Sequence, residues 1–181
     1  MPTRSEIQDT LAASQEQVFA YFDKLSTEAL ERPCTASGVP GEAPWRAKDH
    51  FAHLTANEQN IQTLLRILLA GRSLPDTLAN MSAEERLAWS NQRNQTYVND
   101  HRNESMETLR ENLLTARQET LALLEQFTDE QLAAPVPFLH LANLSPGDLF
   151  AANARHNATH ITWIEEGFRQ GLAGNKPEEE V

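Results

Sequence analysis

The chain has 181 residues, of which 40% are hydrophobic, and this length supports one domain with a buried core rather than two. Its 26 acidic and 15 basic residues give a net charge of -11, so we expect no nucleic-acid or anionic-membrane partner, because such partners are bound by basic surfaces. The single cysteine, Cys34, excludes an internal disulfide and a cysteine-rich metal site, and it fits a reducing, cytoplasmic compartment.

The two ends of the sequence suggest the domain limits. No apolar run follows a basic segment near the start, and no apolar stretch approaches the length of a membrane span, so we expect neither export nor anchoring. Residues 176–181 contain Pro177 and three consecutive glutamates, and we expect them to form a disordered acidic tail. Residues 1–175 are therefore predicted to form a single domain.

A capping box marks the first predicted helix. Thr3, with Glu6 three residues later, begins a helix that ends near Leu25. Residues 26–44 contain three prolines and two glycines, so they are predicted to be a loop with at most one helical turn, at 27–30.

The remaining predicted helices follow in chain order. Apolar residues at helical spacing place them over residues 45–70, 82–99, 105–126 and 145–171, with a shorter capped turn at 128–132. No segment alternates apolar and polar residues as a strand would, so we predict an all-α protein. The long amphipathic helices most simply make a four-helix bundle, antiparallel or with a crossover connection, together with a short extra helical segment.

The last predicted helix, 145–171, has both of its ends marked. Ser145 is a good N-cap, Pro146 suits the first helical position, and Gly171 can close the helix in the left-handed conformation. Its inward-facing positions recur at steps of four and three residues. These positions are Leu149, Asn153, His156, His160, Trp163 and Gly167.

Two histidines of this inward face, His156 and His160, are one helical turn apart and can direct both imidazoles to one point, as a divalent metal ion requires. The alternative is a pair of hydrogen-bonded core histidines without a metal. A metal site needs at least one more ligand, and the candidates are His50 and His53 in the second helix. None of the six histidines has a glutamate three residues before it, which disfavours a di-iron carboxylate bundle.

Other chemically notable residues are interpreted as lying outside the site. His101 and His140 fall in predicted breaks between helices, where exposed histidines are common. Cys34 lies in a loop with no feature that would lower its pKa. Trp45 and Trp163 are interpreted as packing residues.

Two motifs together resemble the DinB-like superfamily. In that family a tryptophan precedes a helix whose histidine falls eight residues later, and a late helix supplies two histidines separated by three residues. Here Trp45 is followed by His53, and the late helix carries His156-Asn-Ala-Thr-His160. The resemblance covers most of the chain, from about residue 7 to residue 168.

The resemblance has implications for fold, cofactor and partners. It assigns His53, His156 and His160 as a three-histidine site for a divalent metal ion, with zinc or nickel expected, and it prefers His53 over His50. It also implies a bundle with a crossover connection, and we expect a homodimer. Known members include transferases and isomerases that use low-molecular-weight thiols. Residues 89–132 are similar to the ClbS/DfsB branch, whose members act on or sequester reactive small molecules, some of them without the metal histidines.

The expected chemistry follows from the open position of a three-histidine site, which lowers the pKa of a bound water or thiol toward neutrality. Nearby polar residues that are candidates for orienting a ligand or contacting substrate are His50, Asn57, Glu58 and Asn153. We expect a metal-dependent enzyme, a thiol transferase or hydrolase in type, that acts on a small molecule. The alternatives are a non-catalytic small-molecule binding protein with a protective, detoxifying role, and an interaction module that works through a dimer face.

Overall fold

Helices make up most of the structure, a computed structural model that describes residues 2–138, 141 and 143–171. The eight α-helices in these residues are α1 (Arg4–Phe22), α2 (Thr27–Glu31), α3 (Ala47–Leu69), α4 (Asp76–Ala79), α5 (Ala83–His101), α6 (Met106–Leu124), α7 (Asp129–Ala133) and α8 (Pro146–Gln170). A short antiparallel ribbon of β1 (Pro33–Thr35) and β2 (Trp45–Arg46) precedes α3. The predicted tail at 176–181 and His140 lie outside the described residues.

The all-α prediction is confirmed, because the five long predicted helices are present with ends that differ by at most three residues. Four of these five helices, and the short helix α7, begin at the predicted cap residue, whose hydroxyl oxygen accepts a hydrogen bond from the backbone N–H three residues later. These cap residues are Thr3, Ser82, Ser105, Thr128 and Ser145. Local capping chemistry therefore sets where the helices begin.

The ribbon and α4 were not predicted, and they lie in or beside the segments 26–44 and 72–81, which were interpreted as loops. A strand of two or three residues is too short to show alternation. Packing fixes the ribbon instead, since Cys34 and Trp45 are buried. A Cβ atom at Gly167 of α8 would lie 1.9 Å from the carbonyl oxygen of Cys34, so α8 and β1 can touch because Gly167 has no side chain.

Four of the long helices, α1, α3, α6 and α8, form the bundle. Helix α3 runs antiparallel to α8, because His53 lies beside His156 and, one turn later in α3, Asn57 lies beside Asn153. The hydrogen bonds from α3 to α6 advance along both helices in the same direction, so these two are parallel. Helix α5 packs against α3 and returns the chain between them. The bundle therefore has a crossover connection, and α5 is that connection.

The bundle core consists of two apolar clusters with a polar layer between them. The first cluster includes Leu11, Leu65, Leu123 and Phe150, and the second includes Val18, Phe51, Leu113 and Ile164. Between the clusters each bundle helix contributes buried polar side chains: Ser14 from α1, Glu58 and Gln62 from α3, Arg117 and Thr120 from α6, and Asn153 and Asn157 from α8. The histidines of α3 and α8 adjoin this polar layer along their helices.

An ion pair between Glu58 and Arg117 lies at the centre of the polar layer, and the two residues are 0% and 4% exposed. Two guanidinium nitrogens of Arg117 donate to the two carboxylate oxygens of Glu58 at 2.8 and 2.9 Å. The third donates to the backbone carbonyl of Leu11 in α1. Burial of both charges is tolerated because each is paired and hydrogen-bonded, and the pair joins α1, α3 and α6.

Replacing Arg117 by methionine should destabilise the protein by about 3–5 kcal/mol, because Glu58 would be left as an uncompensated buried charge. Urea unfolding followed by circular dichroism measures this change. The matched control is Arg66→Met, which removes an exposed guanidinium 3.5 Å from Glu119 and should cost no more than about 1 kcal/mol. Equal losses in the two variants would contradict the central role of the Glu58–Arg117 pair.

Candidate metal centre

The start of α8 is fixed by a reciprocal cap that sets the position of its histidines. The Ser145 hydroxyl and backbone N–H donate to one carboxylate oxygen of Asp148, at 2.7 and 2.9 Å, and the Asp148 N–H donates back to the Ser145 hydroxyl. Burial raises the pKa of Asp148, but the hydrogen bonds from Ser145 outweigh it, and the pKa lies below its ordinary value. The ionised carboxylate therefore stabilises this end of the helix.

Three histidines from α3 and α8 converge beside the polar layer. His53 and His156 are separated by 103 positions in the sequence, yet their Nε2 atoms are 3.0 Å apart. His160 completes the group, and one ring nitrogen from each of the three lies within 4.8 Å of the others. His53 and His160 are 1% exposed, whereas His156 is partly exposed. The predicted third histidine therefore does lie next to the pair on the last helix.

The donor set suits a divalent ion of the zinc or nickel type. Neutral imidazoles are common ligands of both metals, and with a nitrogen–zinc distance of about 2.1 Å two ligands can be no more than about 4.2 Å apart. The 3.0 Å separation of the His53 and His156 nitrogens already meets this limit. The 4.8 Å bound on the whole group exceeds this limit by less than 1 Å, so the three nitrogens are close to the separations that one ion requires.

His50, the alternative third ligand and a candidate for orienting a ligand, lies against His160. It is fully buried, and its Nδ1 is 2.7 Å from Nδ1 of His160. Its Nε2 is 2.8 Å from the hydroxyl of Thr35 in β1. His50 is three residues from His53, a spacing that places both on one face of α3. No sequence signal indicated Thr35, because the strand that carries it was not predicted.

Two tryptophans pack directly on the histidines. The Trp45 ring centre is 5.1 Å from that of His53, and the Trp163 ring meets His160 edge-on at 4.7 Å. Trp45 is oriented by its indole N–H, which donates to Oε1 of Gln95 in α5 at 2.8 Å. The packing role predicted for these tryptophans thus shields the imidazoles from water.

The other predicted polar residues fall into two groups. Asn57 donates to the side-chain oxygen of Asn153 at 3.0 Å, and this amide pair lies one helical turn from His53 and His156. Both carboxylate oxygens of Glu58 accept hydrogen bonds from Arg117, so this carboxylate is held within the polar layer of the bundle.

The chain is a helical bundle with a crossover connection, and its second and last long helices bring three histidines together. Residues 50–164 match the sequence profile of the DinB superfamily, which is more than half of the chain, and the chain belongs to this superfamily. No curated protein matches the chain.

Two solved structures have a similar fold. The colibactin self-resistance protein ClbS, crystallised in complex with double-stranded DNA, aligns with a TM-score of 0.70 over 94% of this chain and 97% of its own, at 13% identity. The sibling lethal factor precursor DfsB aligns with a TM-score of 0.68 over 96% of this chain and 99% of its own, at 15% identity. At these identities the similarity concerns the fold, and both proteins represent the branch to which residues 89–132 showed a resemblance.

The ClbS complex corrects one expectation. The exclusion of a nucleic-acid partner is wrong, because ClbS is a protein of this fold that was crystallised with double-stranded DNA. Net charge is summed over the whole surface, whereas binding depends on the local potential, so a value of -11 does not exclude a nucleic-acid contact.

Among the described helices, none has the length and apolar character needed to cross a membrane.

The cap of α8 predicts how its contribution to stability depends on pH. The pKa of Asp148 in the folded state lies below its ordinary value of 3.8, so its stabilising effect is present above that value and is lost as the pH falls through the folded-state pKa. The difference in unfolding free energy between wild type and Asp148→Asn should therefore shrink on acidification, as urea unfolding at a series of pH values would measure. Asp9→Asn, which removes an exposed carboxylate from α1, is the control, and identical pH profiles for the two variants would contradict the assignment.

Proposed function

We propose that this protein binds a divalent metal ion, zinc or nickel, through His53, His156 and His160. The proposal rests on the convergence of their ring nitrogens within 4.8 Å from two helices that are far apart in the sequence. Membership of the DinB superfamily supports it. We further propose that the protein is a metal-dependent enzyme, of thiol transferase or hydrolase type, that acts on a small molecule.

The residues around the histidines would each have a defined task. A divalent ion with an open position supplies a Lewis acid and lowers the pKa of a water or thiol ligand toward neutrality. Trp45 and Trp163 exclude water, which strengthens electrostatic interactions at the site. His156 is the partly exposed member of the trio, so a ligand would approach from its side. Asn57 and Asn153 present amide groups one turn away that can hydrogen-bond to an oxygen of that ligand.

A second candidate function is capture of a reactive small molecule without turnover. It is favoured by the engagement of the α3 carboxylates that lie near the histidines in sequence. Glu58 is held by Arg117, and Asp49 is held by Arg46 and Arg102, so neither supplies a base. Asn57 and Asn153, which pair with each other one turn from His53 and His156, are amides, which bind ligands but do not transfer protons at neutral pH.

Metal content measures the first part of the proposal. Protein purified without chelator or a metal-affinity column should contain stoichiometric metal by elemental analysis. His53→Ala, His156→Ala and His160→Ala should each lose it, because two imidazoles hold a divalent ion weakly. The matched control is His101→Ala, since His101 lies at the end of α5 beside Tyr97 and Glu104. In calorimetry, free ion at 100 times its dissociation constant should stabilise wild type by about 2.7 kcal/mol.

Two outcomes separate the candidates. Wild-type protein that contains no metal and is not stabilised by zinc or nickel would contradict the metal site. If metal binds, a panel of low-molecular-weight thiols with electrophiles, and of esters and amides, distinguishes turnover from capture. Metal-dependent turnover that is lost in His156→Ala supports the enzyme. Binding of panel compounds in calorimetry without any product supports the capture protein.

A further inference from the structure

A line of hydrogen bonds runs from the histidine trio to the ribbon. His160 contacts His50 through their Nδ1 atoms at 2.7 Å, and the Nε2 of His50 contacts the hydroxyl of Thr35 at 2.8 Å. His50 and His160 are 0% and 1% exposed, and Thr35 is 3% exposed. The line therefore lies inside the protein and joins α8, α3 and β1.

Proton positions along this line are coupled. A hydrogen bond between two Nδ1 atoms needs a proton on one and a lone pair on the other, and a neutral imidazole carries a single N–H. If His160 carries its proton on Nδ1, His50 accepts there and must donate from Nε2 to Thr35. If His50 carries the Nδ1 proton, His160 has its proton on Nε2 instead. Of these two arrangements, the first alone leaves a lone pair on Nε2 of His160.

We propose that His50 is a positioning residue: its Nδ1 accepts a hydrogen bond from the Nδ1–H of His160, and this holds the Nε2 lone pair of His160 toward His53 and His156. The hydroxyl of Thr35 fixes His50 in turn. This inference rests on the proposed function, because the ion is the one that the three histidines are proposed to bind. Metal-binding histidines commonly donate their second ring N–H to a carboxylate, a carbonyl or water, and here the acceptor is another histidine. The ribbon thereby acts on the site although it contributes no ligand.

A purely structural role for His50 makes different predictions. A histidine that only fills space would be replaced by an apolar residue of similar volume with no effect on the tautomer of His160. Asparagine, in contrast, places its side-chain oxygen near the position of the imidazole Nδ1 and can accept the same hydrogen bond. The pair His50→Leu and His50→Asn therefore separates packing from hydrogen bonding. Thr35→Val and Thr35→Ser make the same separation one step farther along the line.

The first measurement is the dissociation constant for zinc and nickel by competition with a chromophoric chelator. His50→Leu should weaken binding by about 10–100-fold, the range seen when an outer partner of a ligand is removed. Thr35→Val should weaken it in the same direction, and His50→Asn and Thr35→Ser should restore binding to within about threefold of wild type, as hydrogen bonding is retained. His101→Leu is the control for loss of a histidine. The unfolding midpoint of each metal-free variant is recorded in parallel.

The second measurement does not require metal. Long-range nitrogen–proton correlation spectra of the metal-free protein at about pH 8, where imidazole is neutral, report which ring nitrogen of His160 carries the proton. Wild type and His50→Asn should show the proton on Nδ1, and His50→Leu should show a mixture or the other tautomer. A proton on Nε2 of His160 in wild type would overturn the inference, as would unchanged metal affinity in a folded His50→Leu protein.

The two proposals fail in different ways. If wild type binds neither zinc nor nickel, the proposed function fails, while the tautomer of His160 still decides whether His50 positions it. If wild type binds metal and the His50 and Thr35 variants bind it equally well, the metal site stands and the positioning role is overturned.

Discussion

The Glu58–Arg117 ion pair lies where the two apolar clusters of the bundle meet, and the arrangement of the helices depends on its being complete. A buried carboxylate and guanidinium are tolerated here because each carries hydrogen bonds from the other, and Arg117 also caps a carbonyl of α1. This geometry fixes the rotation and height of α3 against α6 and α1. The same rotation of α3 turns His53 toward α8, so the structural ion pair and the histidine group share one constraint.

Crowding of imidazoles gives the histidine group its chemical character. Four histidines lie in contact with one another and with two tryptophans, and neighbouring imidazole ring centres are 4.4–5.0 Å apart. Neutral rings in such a group have lone pairs to offer. In the proposed function these lone pairs are directed at a cation, and the Nδ1 atom of His160 is held by its contact with Nδ1 of His50.

Much of the fold could be predicted because capping residues and apolar repeats determine where the helices lie. Thr3, Ser82 and Ser145 are capping residues that each precede an apolar repeat, and a helix begins at each of them in the structure. The association of His53 with the α8 pair was also predicted, but through a family resemblance rather than through spacing. The parallel course of α3 and α6, and the ribbon, were not derivable from the residues, since they depend on contacts between distant segments.

The contact between His50 and His160 was missed for a related reason. Helical spacing gives the face on which a histidine lies, but it does not give the neighbour across the interface. The role of Thr35 was also not predicted, because a strand of three residues is stabilised by its surroundings and shows no pattern in the sequence. The net charge gave a wrong prediction about nucleic acid, because it is a sum over the whole chain and binding depends on the charges of a local surface.

Gly167 has a consequence for how distant relatives are compared. Its backbone lies so close to Cys34 that hydrogen is the largest substituent the position accommodates. A relative with a bulkier residue at the equivalent place must route the segment before its second bundle helix differently. Since that segment carries Thr35, the packing at Gly167 also bears on the ribbon's hydrogen bond to His50.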